Sequence, residues 1–474
     1  MDRDMIMTDT RRERHVFAAV CAVVCAVFLM TGCASYYQRN LAVQKAFVSG
    51  DFERALNELD KNDDDANGNN RFLFLTENGT LLHMLERYDK SNEYFEEAHI
   101  FVEDFHQNRA LQALSLISNP SVTQYGGEDF EKIFIHYYKA LNYIALGELD
   151  NALVECRRIN IRLNELNVKY GTRKNRYRTD AFAYMLMGII FEASGEINNA
   201  FISYRNAYET YRDVYDPVFG TPAPDQLKKD LMRTAALNGF TQELEQYEQE
   251  FGTTYTPSAN NNGELVFFWN NGLGPVKEDW GVTFTILKGR GGIVTFQDSQ
   301  GGMSFPFETG SDSIKKLGDL KFVKIAFPRY RERMPYFNHA VLRNGSAKYN
   351  LEVAEDINGI ANATLQDRML REFATSLLRV AIKQAAEEAT RKKNENLGAV
   401  LSLVNMISES SDTRGWQMLP HTISYTRIPL EEGKNELELV ASGAGGETLY
   451  TFEIEAKPGN IYIDFFHSLD TVVK

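Results

Sequence analysis

The sequence predicts an α+β chain with two domains. An all-α solenoid of paired helices comes first, then an antiparallel β-sandwich-like region that carries an inserted helical hairpin. Three observations predict this. Between Leu41 and Phe251 apolar residues recur at helical spacing, with almost no strand pattern. Thr253 to Gly263, rich in Thr and Asn, has linker composition. Beyond it the apolar period changes to two. A chain of 474 residues is also longer than one core usually organises. The expected division is residues 1–32 as a signal, 33–252 as helical repeats, 253–263 as a linker and 264–474 as the strand-rich region.

The first element is the signal. Arg11, Arg12 and Arg14 form a basic start, and an uncharged run from Val16 to Thr31 follows. That run of sixteen residues is shorter than the about 20 that a membrane span needs. Met30-Thr31-Gly32-Cys33 resembles the lipobox of bacterial lipoprotein signals, with Met30 where Leu is usual. The resemblance implies that the Cys33 thiol receives a diacylglycerol, that cleavage occurs before it and that the new amino terminus is acylated. Several acyl chains give durable anchoring in a bilayer where one does not. Ala34 follows the cysteine. By resemblance to enterobacterial lipoproteins, a residue other than aspartate there implies the outer membrane, facing the periplasm. Cys21 and Cys25 leave with the signal, so Cys33 and Cys156 remain and no intramolecular disulfide is expected. A net charge of −14 argues against nucleic acid as a partner.

Within the helical region a single device recurs. One copy has Tyr184, Met187, Gly188, Phe191, Gly195, Ile197, Ala200, Tyr204 and Ala207. Others have Gly79, Leu82, Tyr88, Ser91, Phe95 and Ala98, or Ala140, Tyr143, Gly147, Leu149, Ala152, Cys156 and Ile159. A fainter copy has Gly50, Phe52, Ala55 and Leu59. These resemble tetratricopeptide repeats, pairs of antiparallel helices, here unevenly spaced, with insertions at Ser118 to Ser121 and near Gly171. Gly147 and Gly195 suit the turn after the first helix, where a positive φ costs little. Cys156 falls on a packing position, and Leu227 to Phe251 is expected to cap the stack. The resemblance implies that the first helices line a concave groove. Its wall here is Phe134, Tyr137, Leu141 and Ile144, then Phe182, Met185 and Ile189. An apolar groove of that size should be filled, by a partner's helix or extended segment or by this chain's own strand region or loops. Two polar groups also have two readings each. His99, Glu103 and His106 share a helix face that suits zinc or a solvated surface. Lys169, Arg173, Lys174, Arg176 and Arg178 suit anionic headgroups or a solvated loop.

In the strand region, Leu265–Trp269, Val282–Leu287, Ile293–Phe296 and Lys321–Phe327 read as strands. Asn344-Gly345 between Ala340–Arg343 and Lys348–Val353 signals a hairpin. Glu436–Val440, Leu449–Glu455 and Ile461–Phe466 suggest a meander whose last turn is Lys457-Pro458-Gly459-Asn460. The helical insertion, about residues 357–409, has one stripe of Leu365, Met369, Phe373, Leu377 and Val380 and a second of Leu397, Val400, Leu401, Val404 and Ile407. Both stripes are expected to cover one face of the sheet, the alternative being a membrane-lying or partner-binding hairpin. Phe327-Pro328-Arg329-Tyr330, the insertion, and then Ser411 to Pro420 resemble a family of uncharacterised repeat-containing bacterial lipoproteins. That resemblance implies an envelope lipoprotein and transfers no catalytic residue. Asp412 and Arg414 are expected to close a turn as an ion pair, with Trp416 and Leu419 in the core.

The chain has no H-E-x-x-H, no G-x-S-x-G, no P-loop and no paired cysteine ligands. Gly289, Gly291 and Gly292 lack the helix that a phosphate cradle needs. No catalytic residue, cofactor or metal site is therefore expected. The expected function is an envelope scaffold or assembly adaptor that holds another envelope protein through its repeats. The alternative is a cell-wall glycan or lipid binding protein, or an enzyme, acting through the strand region.

Overall fold

A computed structural model of the chain describes residues 40–61, 63–107, 123–171, 175–257, 262–289, 293–298, 304–308, 317, 320–393 and 411–470. Cys33, the signal, the Ser118–Ser121 insertion, Arg173, Lys174 and the stripe from Leu397 to Ile407 lie outside the described residues.

The helical region is built of antiparallel pairs: α1 (Leu41–Val48) with α2 (Phe52–Asp60), then the short α3 (Asp63–Asn67), then α4 (Arg71–Met84) with α5 (Tyr88–Gln107). Next come α6 (Asp129–Ala145) with α7 (Leu149–Tyr170), and α8 (Ala181–Ala193) with α9 (Ile197–Thr210). After α9 the chain passes through a π-helical turn (Tyr211–Tyr215) and α10 (Asp216–Phe219) to a last pair, α11 (Asp225–Leu237) and α12 (Thr241–Phe251).

One turn geometry joins every pair. A residue at positive φ follows the first helix: Gly50, Glu86, Gly147, Gly195 and Gly239. In each case its N–H and the next N–H return to carbonyls three and five residues back, satisfying the helix end. Glu86 is the one residue other than glycine at positive φ among the described residues. The small residues sit at the close approaches within pairs. A Cβ at Gly188 would lie 2.5 Å from the Tyr204 ring, and one at Gly79 would lie 2.8 Å from Phe95. Cys156 is fully buried, and burial pushes its thiol pKa upward.

Among the described residues the strand region forms three four-stranded sheets. The first has the order β12 (Ile461–Ser468), β1 (Glu264–Asn271), β9 (Thr422–Pro429), β8 (Glu352–Asp356). The second has the order β11 (Gly446–Ala456), β10 (Gly433–Gly443), β6 (Phe337–Asn344), β7 (Ala347–Asn350). The third has the order β4 (Ser304–Glu308), β3 (Ile293–Asp298), β2 (Val276–Lys288), β5 (Phe322–Arg331). Gly345, at φ 58, makes the tight β6–β7 turn. The inserted helix α13 (Ile357–Lys393) covers the third sheet, with Leu377 and Ala381 in its core beside Phe284, Phe296 and Ile325.

Two expectations need correction. The sandwich is not wholly antiparallel, because β1 pairs in parallel with β12, Glu264 opposite Ile461 through Asn271 opposite Ser468. Nor do the last three strands form a meander, because β12 leaves β11 for the first sheet. The cause is visible in its side chains. Ile463 and Phe465 pack toward the helices, while Tyr462 and Phe466 pack into the sandwich. A strand apolar on both faces belongs in a middle layer, and two strands far apart in sequence are free of hairpin geometry. β1 has the same character: Val266 and Phe268 join the helical core, and Leu265, Phe267 and Trp269 join the core between the sheets. One continuous core therefore runs from Val43 in α1 through the helix pairs to Ile423 and Tyr425 of β9.

Candidate functional site

The predicted groove wall is assembled on α6 and α8. Phe134, Tyr137, Leu141, Ile144, Phe182, Met185 and Ile189 are all buried and belong to one core. The groove is filled by this chain's own first sheet. The Tyr137 hydroxyl donates to Asn270 Oδ1 of β1 at 2.8 Å. Phe182 meets the Phe268 ring edge-on, with centroids 5.7 Å apart. These residues are thus contacts between the helical and strand regions.

A small polar centre lies where α4, α6 and β12 meet. His83 Nδ1 and Asn142 Oδ1 are 2.6 Å apart, and His83 Nε2 lies 3.1 Å from His467 Nε2. The His83 ring stacks on Phe465. Burial lowers the His83 pKa to about 4 despite its bond with Asn142, and burial together with His83 lowers that of His467. The pair is therefore neutral near pH 7, one ring nitrogen donating to the other.

The segment before β9 plugs the helical region from the other side. Ser411 N–H donates to Asp279 Oδ1 at 3.0 Å. Arg414 pairs with Asp412 at 2.7 Å and donates to the carbonyls of Asn69 and Thr123, the expected turn ion pair extended into a clamp on the helices. Trp416 and Leu419 are buried. The Trp416 indole N–H donates to Thr80 Oγ1 at 3.1 Å, and its backbone N–H donates to Glu131 Oε1 at 2.8 Å. Glu128 accepts from Lys277 of β2 and, at 2.7 Å, from Arg368 of α13. Burial raises the Glu128 pKa, but Arg368 and Lys277 outweigh it and leave the carboxyl below the usual range.

A second charged cluster joins the halves through β9. Arg427 reaches Glu192 at 2.8 Å, Glu264 at 2.7 Å and Asp230 at 3.4 Å. Arg233 also binds Glu192 and Asp230, each at 2.8 Å. The Tyr204 hydroxyl donates to Glu192 at 2.8 Å. Nearby, Glu355 of β8 accepts from the Tyr215 hydroxyl at 3.2 Å, and its other oxygen has no hydrogen-bond partner among the described residues. Burial and the neighbouring Asp180 push the Glu355 pKa up.

Three of the other polar candidates contact neighbouring side chains. His99 stacks edge-on against His136, and Glu103 pairs with Arg162 at 2.9 Å; the side chain of His106 lies outside the described residues. Arg176 of the basic loop is held by Asp367 of α13 at 2.9 Å. Among the described residues no group of three or more His, Cys, Asp or Glu is placed to hold a metal ion, and no helix is long and apolar enough to cross a membrane. Sequence reasoning missed Arg427, Glu192, Asp230, His83 and His467. The signal that could have found them was a single ionisable residue inside an otherwise apolar or uncharged run, as Arg427 is in Thr422–Pro429.

No family model matches the chain, and no curated protein matches it. Among solved structures it is similar to MamA protein, at 15% identity over 46% of this chain and 94% of that one, with a TM-score of 0.27. It is also similar to a Rap protein complexed with competence and sporulation factor, at 13% identity over 46% of this chain and 53% of that one, with a TM-score of 0.28. A third is BtubC from P. vanneervenii, at 14% identity over 47% of this chain and 80% of that one, with a TM-score of 0.28. This chain spans about half the length of the Rap protein. Likeness at these scores carries no argument, so the repeat reading rests on the five shared turns and the close approaches of the helix pairs.

Proposed function

We propose that the chain is a lipid-anchored envelope lipoprotein that serves as a protein-interaction scaffold or assembly adaptor. Cys33 is its attachment, at the outer membrane facing the periplasm. The observation that supports this reading is the series of helix pairs joined by one turn geometry; the filled groove removes the concave wall as the place where a partner sits. Tyr137 bonded to Asn270, and Phe182 packed on Phe268, commit the concave wall to the interior. Repeats built this way present outer surfaces from a rigid body rather than clamp a peptide in the groove. The lipid anchor rests on the resemblance at Met30 to Cys33.

Two measurements test the reading. Cys33→Ala is expected to leave the signal uncut or to release soluble protein; undiminished lipid labelling of that variant refutes the anchor. Mature protein isolated from detergent-solubilised envelopes is expected to bring a companion protein in stoichiometric amount. Recovery of the chain alone after chemical crosslinking in intact envelopes refutes the scaffold.

A further inference from the structure

Each open sheet is bounded by two edge strands, and a bare edge invites pairing unless it is blunted. β7 has four residues, and β4 has five with Pro306 among them. β8 has a register irregularity between Val353 and Glu355, and β5 contains Pro328. β12 carries an aspartate, Asp464, in its middle. A charged side chain within an edge strand is a recognised guard.

β11 is neither short nor bulged and has no proline; its one guard is the acidic row Glu447, Glu453 and Glu455, which a basic strand would neutralise. β11 runs eleven residues and pairs with β10 in unbroken register from Gly446 to Ala456. No described segment pairs with its other edge. Its inward side chains Tyr450, Phe452 and Ile454 are only partly buried. Its outward side chains Glu447, Leu449, Thr451, Glu453 and Glu455 are exposed. Lys434 pairs with Glu453 and Glu436. Glu447 and Glu455 have no ion pair among the described residues.

We propose that the outer edge of β11 is a docking site for an extended segment of a partner protein, taken up as an added strand whose side chains alternate basic with apolar. The added strand satisfies the free backbone groups, and its Lys or Arg side chains lie beside Glu447 and Glu455. A second copy of this chain is the wrong occupant, because its own β11 brings Glu447, Glu453 and Glu455 and no basic side chain to face them. The proposal rests on the scaffold reading for the existence of a partner, and on the edge itself for the place.

The test uses full-length mature protein in detergent and a short synthetic peptide alternating Lys with Val and Thr. A Glu-for-Lys version of the peptide is the comparison. The Lys peptide is expected to slow amide exchange across residues 446–456 while leaving β7 unchanged, and to bind about tenfold more tightly than the Glu peptide. Glu447→Lys with Glu455→Lys should reverse that preference. Thr451→Pro, which an edge strand tolerates, should abolish protection. Protection elsewhere or nowhere, an unreversed preference, or dimers joined through β11 overturns the proposal. If Thr451→Pro keeps its envelope companion, the edge is wrong and the scaffold stands; if the peptide binds but no companion exists, the scaffold reading alone fails.

Discussion

Replacing Arg427 with Met tests whether charge pairing across the two halves holds the molecule together. The guanidinium is 3% exposed and touches carboxylates from α8, α11 and β1. Met keeps most of the volume and removes the charge. Glu192 and Asp230, at 4% and 0% exposure, are then left with Arg233 as their one cation among the described residues. Asp230 already has one oxygen without a hydrogen-bond partner among the described residues. Removing one member of a buried ion pair costs about 3–5 kcal/mol, and because Arg233 still grips Glu192 the lower end applies, about 3 kcal/mol at pH 7. The loss has a pH signature. Burial raises the Glu192 pKa, but Arg427 and Arg233 outweigh it, so the folded value is depressed. A depressed carboxylate contributes stability above its unfolded pKa and loses it as pH falls. In Arg427→Met the burial contribution is less opposed and Glu192 takes up a proton more readily. The deficit against the parent should therefore shrink as pH drops below about 4.5, the ordinary value for Glu. Urea unfolding at several pH values measures this, with hydrogen exchange at β9 and α11 locating it. A variant within about 1 kcal/mol of the parent at pH 7, a value typical of exposed ion pairs, would refute a buried cross-half cluster.

Two further outcomes follow from the core. His83 titrates from an ordinary 6.5 down to about 4 in the folded chain, so the unfolded chain binds its proton first and stability falls as pH drops through that window. The shift corresponds to at most about 3 kcal/mol. Glu355 acts in the opposite sense, because its raised pKa costs stability as pH rises above 4.5. Comparing His83→Gln with the parent cancels that common term, and the variant should show a flatter decline between pH 6.5 and 4 in urea titrations; an unchanged slope refutes a buried neutral His83. Gly188→Ala sets a methyl 2.5 Å from the Tyr204 ring and should cost about 1–3 kcal/mol in urea unfolding, whereas no loss would mean that α8 and α9 can move apart freely.

The features that the sequence alone determined are local. Helical and strand periods follow from the direction of successive side chains, so the change from helices, ending at Phe251, to strands, starting at Glu264, was legible. The turns at Gly147 and Gly195 and the Asn344-Gly345 hairpin were legible because glycine takes positive φ at little cost. The buried apolar residues of α6 and α8 were readable as a stripe, and so was the burial of Trp416 and Leu419. The Glu86 turn was not legible, because a glutamate held at positive φ carries no local signal. β9 was missed because Arg427, Thr426 and Ser424 interrupt its apolar pattern, and its central place follows from strands far away in the chain. Only the tertiary structure decided what fills the groove. Tyr137 and Asn270 are separated by 133 residues, and β1 lies beside β12 across nearly the whole strand region. Nothing in either segment alone specifies that meeting. It follows from β1 and β12 each having two apolar faces, which removes both from solvent only when helices cover one side and the second sheet covers the other.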